Sequence, residues 1–203
     1  MIETIIFDFG NIFIDLNKNA TLEAFKKLGL NEWNTDLELL NQKYELGKIG
    51  ELEFISGIQK KIPNTDILDI RTAWNEQIGN FPLKRLEFLQ LIKSKFKLIL
   101  LSNADNTHIE RFEHMVGISF SRDFYSSFEK TYFSFDIGLR KPDVNVFKLI
   151  LNNHNINPKT TLFIDDMLEN IESAKSLGIN TWHLNPKKED ITQLFKTLEM
   201  IHD

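Results

Sequence analysis

The stretch Thr4-Ile5-Ile6-Phe7-Asp8-Phe9-Gly10-Asn11 limits the possible folds more than any other part of the chain. Four β-branched or aromatic residues in a row, with no charge before Asp8, suit a strand buried on both faces, as the central strands of parallel sheets are. A strand of that kind needs neighbours of the same kind. The chain supplies them at Phe96 to Leu101, Lys130 to Ser134, Thr161 to Ile164 and Ile179 to Leu184. Segments of helical period lie between them: Pro82 to Lys95, Ala104 to Val116, Asp143 to Asn153, Asp166 to Leu177 and Lys188 to Ile201. Strand and helix in alternation predict an α/β fold, a doubly wound, Rossmann-like parallel sheet.

The connection between the first two strands is too long for a simple crossover, which needs about 30 residues. It shows helical periods over Ala20–Leu28, Thr35–Leu46, Glu51–Lys61 and Thr65–Ile78, broken by Gly29, Gly47 and Pro63, and no strand pattern. The expected organisation is a core domain of residues 1–15 and 82–203, with an inserted, all-helical lid of residues 16–81 over the strand ends. Within that lid, Tyr44-Glu45-Leu46-Gly47-Lys48 is the part expected to meet a substrate, because a closing lid presents something to the group beneath it.

Ligands of open α/β sheets bind outside the carboxyl ends of the strands. Four groups fall there: Asp8, Ser102-Asn103, Lys141 and Asp165-Asp166. Three carboxylates close together repel and raise one another's pKa, which a hard cation relieves, and magnesium suits an all-oxygen site that also holds a phosphate. Ser102 and Asn103, at a strand-to-helix turn, offer side chains and free amides to an anion. Lys141 offers an ammonium to phosphoryl oxygens. His108 is expected to face the same site from the following helix. His114, His154, His183 and His202 have no partners at metal-ligand spacing and read as surface or packing residues. Trp33, Trp74 and the many phenylalanines read as packing.

The charge and composition exclude other classes. A net charge of -5 with scattered Lys and Arg gives no nucleic-acid footprint. The first apolar run is broken by Asp8, short of what an export signal or membrane span needs, so a soluble, cytoplasmic protein without membrane partners is expected. Zero cysteines exclude disulfides, thiolate catalysis and zinc-thiolate sites. Nothing in the sequence indicates an oligomeric state.

In order along the chain, Phe7-Asp8-Phe9-Gly10-Asn11, Leu101-Ser102-Asn103, Arg140-Lys141-Pro142 and Phe163-Ile164-Asp165-Asp166 resemble the four motifs of the haloacid-dehalogenase superfamily, and the helical insertion resembles its small helical cap. Asp-Phe-Gly-Asn-Ile with Asp15 following, and Ser102-Asn103 with His108, are similar to the branch containing bacterial glucose-1-phosphate phosphatases. The resemblance implies a magnesium-dependent phosphatase for a small phosphorylated metabolite, a sugar phosphate or a nucleotide. Asp8 would be the nucleophile and form an aspartyl-phosphate. Asp8, Asp166 and the Gly10 carbonyl would hold the metal, with Asp165 a further ligand or an orienting neighbour. Ser102 would bind the phosphoryl group, Lys141 would offset its charge, and Asn170 would stand where many relatives carry one more carboxylate. One position departs from the pattern: Gly10 replaces the aspartate that usually serves as general acid and base. Asp15 folding back, or a water on the metal, would have to supply the proton. Gly10 also keeps a non-catalytic phospholigand binder open as an alternative. A dehalogenase, which needs no cation, is disfavoured by the acidic doublet, and a signalling receiver by motif order and the insertion.

Overall fold

The computed structural model describes residues 1–202. Among these, five strands form one sheet: β1 (Thr4–Phe7), β2 (Lys97–Ser102), β3 (Lys130–Phe133), β4 (Thr161–Asp165) and β5 (Asn180–His183). All neighbours pair parallel, in the order β3-β2-β1-β4-β5, so β1 is central. This is the doubly wound sheet expected from the alternation of strand and helix. Alternate residues of each strand point to opposite faces. Ile5, Phe7, Leu98, Leu100, Leu162 and Ile164 enter one core, under the helices α5 (Leu83–Ile92), α6 (Asn106–Val116), α7 (Ile118–Tyr125) and α11 (Leu194–His202). Ile6, Ile99, Leu101 and Phe163 enter another, under α9 (Val144–His154) and α10 (Leu168–Lys175). Ile5, Ile6 and Phe7 are all fully buried, and each contributes roughly 1.5–3 kcal/mol of transfer free energy.

Residues between β1 and α5 form α1 (Lys18–Lys27), α2 (Thr35–Glu45), α3 (Glu51–Gln59) and α4 (Ile67–Asn75). This helical lobe has its own hydrophobic cluster of Phe25, Tyr44, Phe54, Ile58, Ile70 and Trp74, with others of the same segment. Trp33 stacks on Trp74 at 5.4 Å between ring centres, and Tyr44 on Phe54 at 4.6 Å. Polar side chains start the helices: Asn34 accepts from the Leu37 amide and Asp66 from the Leu68 amide. The α2–α3 turn uses Gly47 at φ 64°, where a side chain would run into the Phe135 carbonyl.

Three elements differ from the sequence expectation. Helix α7 occupies a stretch to which the sequence reading assigned no element: Gly117 (φ 81°) ends α6, and α7 follows at once because Phe120 and Phe124 fill the core. The strand expected to run to Ser134 stops at Phe133, where the short helix α8 (Ser134–Ile137) begins. The last helix starts at Leu194 rather than Lys188, after a 3₁₀ turn capped by Asp190. The His202 side chain lies outside the described residues. Among the described residues no helix is long and apolar enough to cross a membrane.

Candidate active site

Sheet register brings the acids together. Phe7 pairs with Ile164, so Asp8 and Asp165 leave their neighbouring strands at the same level, and the Asp8 amide still donates to the Ile164 carbonyl at 2.9 Å. Lys141 sits between them, with Nζ 2.7 Å from Asp8 Oδ1 and 2.7 Å from Asp165 Oδ2, and is 1% exposed. Burial alone would pull this ammonium's pKa down, but Asp165 and Asp8 push it up, so it stays charged. Burial pushes the Asp8 carboxyl up to about 7, against the pull of Lys141 and helped by Asp165 and Asp166.

Asn103 holds the Lys141 backbone on both sides. Its Nδ2 donates to the Lys141 carbonyl (2.8 Å), and its Oδ1 accepts from the Lys141 amide (2.9 Å). The sequence reading placed the Asn103 side chain on an anion; in the structure it fixes the lysine instead. Ser102 ends β2, is 3% exposed and lines the cleft.

Asp165 is surrounded by donors. Its Oδ1 accepts from the Met167 amide (2.7 Å) and Asn170 Nδ2 (3.1 Å), and its Oδ2 from Lys141 and Asn170 Nδ2 (3.0 Å). Of the two roles expected for Asp165, these bonds favour the orienting one. Asp166 Oδ2 accepts from Asn11 Nδ2 at 2.8 Å. Asn11, at φ 57°, also takes the Leu16 amide on its Oδ1, so one left-handed residue ties the β1 turn to the β4 turn. His183 Nε2 lies 3.0 Å from the Asp166 carbonyl.

The donor set fits a hard cation. One oxygen from each of Asp8, Asp165 and Asp166 lies within 4.8 Å of the others. Beside them Asn170 Oδ1 is buried without a hydrogen-bond partner among the described residues, an acceptor suited to a metal-bound water. The departure at Gly10 also has a structural counterpart. A Cβ there would lie 2.5 Å from Leu16 Cδ1 and 4.0 Å from Asp8 Oδ2, so Leu16 fills the space of the missing side chain. Asp15 does not replace it: the side chain is 54% exposed, pairs with Arg85 at 2.8 Å and is not among the cleft residues.

The carboxylates open into a cleft of roughly 380 Å³ shared by the sheet edge and the helical lobe. The lobe contributes Trp33, Glu38, Asn41, Glu45, Trp74 and Gln77, among others. His108 lines the cleft, yet both ring nitrogens are engaged: Nδ1 with Asp105 at 2.7 Å, and Nε2 with the Trp74 carbonyl at 3.0 Å. The ring stacks on Trp74. Burial opposes its charge, but Asp105 and the Trp74 carbonyl raise the pKa overall. In this structure the histidine, expected to meet a ligand, bridges core and lobe. Asp105 Oδ2 also accepts from Trp74 Nε1 (3.2 Å), and Thr107 Oγ1 lies 2.5 Å from the Tyr44 hydroxyl. Of the expected substrate-facing segment, Glu45 lines the cleft, Tyr44 is buried in the lobe and Lys48 is exposed. Sequence reasoning gave no role to Asn11, Asp105 or Arg140; a left-handed Asn or an N-cap Asp has no signature beyond residue type.

Comparison with known proteins agrees with this arrangement. Over 200 residues, 90% of this chain and 91% of the relative, the sequence is 27% identical to D-ribitol-5-phosphate phosphatase of Bacteroides thetaiotaomicron. A crystal structure of a HAD family enzyme from the same organism superposes with a TM-score of 0.85 at 30% identity, covering 96% of this chain and 98% of that one. Another, of the wild-type protein in complex with magnesium and inorganic phosphate, gives a TM-score of 0.84 at 29% identity, over 96% and 100%. Residues 2–178 match the model of the haloacid dehalogenase-like hydrolases, and the chain belongs to that family.

Proposed function

We propose that the protein is a magnesium-dependent phosphatase acting on the phosphate monoester of a small sugar or polyol, with residues 16–81 as a cap over the cleft. The observation that carries this reading is Lys141, buried between Asp8 and Asp165 at 2.7 Å from each, beside an acidic cluster able to take a divalent ion. The related D-ribitol-5-phosphate phosphatase and the magnesium- and phosphate-bound relative support the chemistry, and the polar cap wall supports a hydroxylated leaving group.

In this reading Asp8, Asp166 and the Gly10 carbonyl would hold magnesium, which when bound offsets the charge of the phosphoryl oxygens. Asp8 Oδ attacks phosphorus in line, the P–O bond to the leaving group breaks, and the leaving oxygen takes its proton from water. A second water then attacks the aspartyl-phosphate, giving inorganic phosphate and restoring the carboxylate. Ser102 donates to the transferring group. Lys141, fixed by Asn103 and Asp165, neutralises charge that develops on it.

Turnover of p-nitrophenyl phosphate with magnesium, measured on wild type, Asp8→Asn and Lys141→Met, tests the reading. Asp8→Asn is expected to lose all measurable turnover, and Lys141→Met about 10²-fold or more in kcat, the scale of one preorganised charge-stabilising group. Full activity in Asp8→Asn would refute the mechanism. No turnover on any phosphate ester would leave a binder of phosphorylated ligands.

A further inference from the structure

Helix α2 carries two stripes. Leu37 and Tyr44 are buried in the lobe, while Glu38, Asn41 and Glu45, spaced i, i+3 and i+7, line the cleft. A polar stripe turned inwards needs partners, and here they are incomplete. Asn41 Nδ2 reaches Glu45 Oε1 at 3.4 Å, but Asn41 Oδ1 and Glu45 Oε2 are shut off from water with no hydrogen-bond donor among the described residues. Arg140 Nη2 lies 3.0 Å from Glu45 Oε2, within ion-pair reach but out of line for a hydrogen bond, and Arg140 Nε is itself buried without a hydrogen-bond partner among the described residues. Each unpaired buried polar atom carries an uncompensated desolvation cost. A ligand bearing hydroxyls relieves that cost by drawing the two acceptor oxygens into the cleft. The Trp33–Trp74 pair, also on the cleft wall, gives the carbon skeleton an apolar face.

We propose that Asn41 and Glu45 determine specificity: they accept the hydroxyls of a neutral, polyhydroxylated leaving group, Glu45 repels leaving groups that carry a second negative charge, and Arg140 positions Glu45. The inference rests on the phosphatase reading above and assigns the selectivity of that same site. Arg140 directly precedes Lys141, so one short segment serves both the phosphoryl group and the far end of its ester. Glu38 and Glu45 put two carboxylates on the α2 side of the cleft, and Arg140 pairs with Glu45, while Lys18 of α1 lines the cleft elsewhere; the α2 stripe is thus a local acceptor of hydrogen bonds, unfavourable to an acidic leaving group.

The test compares kcat/KM of wild type, Asn41→Leu, Glu45→Gln, Arg140→Met and Arg140→Lys on three esters with magnesium: a pentitol 5-phosphate, the corresponding 5-phosphoaldonate, and p-nitrophenyl phosphate. Wild type is expected to prefer the pentitol ester to the aldonate. Asn41→Leu should lower the pentitol to p-nitrophenyl ratio about 10-fold, the scale of one lost hydrogen bond in a closed site. Glu45→Gln should raise the aldonate to pentitol ratio at least 10-fold, and Arg140→Lys should keep more of the wild-type selectivity than Arg140→Met. Ratios unchanged within threefold, a parallel fall on all three esters, or a wild-type preference for the aldonate would overturn the inference. If wild type hydrolyses the esters in an Asp8-dependent way while the ratios stay flat, only the inference fails. If wild type hydrolyses none of them, the phosphatase reading fails and this inference with it.

Discussion

Leu16 is the residue whose position says most about the chemistry. It lies where a side chain at position 10 would begin, so the proton-transfer group of the family pattern is absent and its space is filled with hydrocarbon. General acid-base help is worth about 10²–10⁴-fold, and a site without it favours leaving groups that depart with little protonation. Gly10→Asp alone should be held off by Leu16, whereas Gly10→Asp/Leu16→Ala frees the room for a carboxyl near Asp8 Oδ2. The double variant is expected to raise the ratio of alkyl to p-nitrophenyl phosphate turnover by about 10-fold or more, the low side of that range. A ratio that stays at the wild-type value would mean that proton transfer does not limit alkyl esters. Asp8, Ser102 and the Asp165-Asp166 pair were legible in sequence because a charged or polar residue at the end of a buried strand has few places to go; Lys141, beyond α8, was legible from its place in the Arg140-Lys141-Pro142 motif. The directions of Asn103 and His108 were not: both residues flank the strand end as expected, but whether an amide or imidazole faces a ligand or its own protein is decided by tertiary neighbours such as the Lys141 backbone and the Trp74 carbonyl.

At the scale of elements, the first turn of α6 is the platform on which the helical lobe rests. Asp105 serves it twice: Oδ1 caps the helix by accepting from the His108 amide at 2.9 Å, and Oδ2 takes Trp74 Nε1 and the His108 ring. Arg71 of α4 adds contacts to Glu51 (2.5 Å) and to Glu110 of α6 (2.7 Å), on a more exposed side where such pairs are weak. Asp105→Ala removes a cap and strands two buried donors, and a loss of about 3 kcal/mol in urea unfolding is expected. Asp105→Asn, which keeps a capping oxygen, should lose less. Equal losses would show that the cap itself carries little energy and that the contacts to Trp74 and His108 carry the loss. The platform was partly visible in the sequence, since the helix itself was expected there. Helix α7 was not: the sequence reading assigned no element between Val116 and Lys130. Only the fit of Phe120 and Phe124 into the core makes that stretch helical.

For the molecule as a whole, the buried acidic cluster links stability to pH and to metal. With its pKa raised to about 7 from the ordinary 3.8, Asp8 in the folded, metal-free protein keeps a proton that the unfolded chain has already lost. The folded state therefore binds more protons between about pH 4 and 7, and this group's contribution makes stability fall as pH rises through that window. A cation replacing the proton reverses the trend. The Tm increase on adding magnesium is expected to be small near pH 5 and to grow up to about pH 7, and thermal melts with and without the ion at several pH values check this. A shift independent of pH would separate metal binding from Asp8. The parallel α/β class was the most legible property of all, carried by the apolar runs of β1, β2 and β4 between helical segments; the strand order was not read from the sequence.

The sheet order has a consequence in time as well. β1 and β4 are neighbours in space but lie far apart along the chain, so Asp8 leaves the ribosome long before Asp165 and Asp166 do. Synthesis therefore produces an inert nascent chain for most of elongation, and the cell meets a competent centre only once the late strand has slotted in beside the early one.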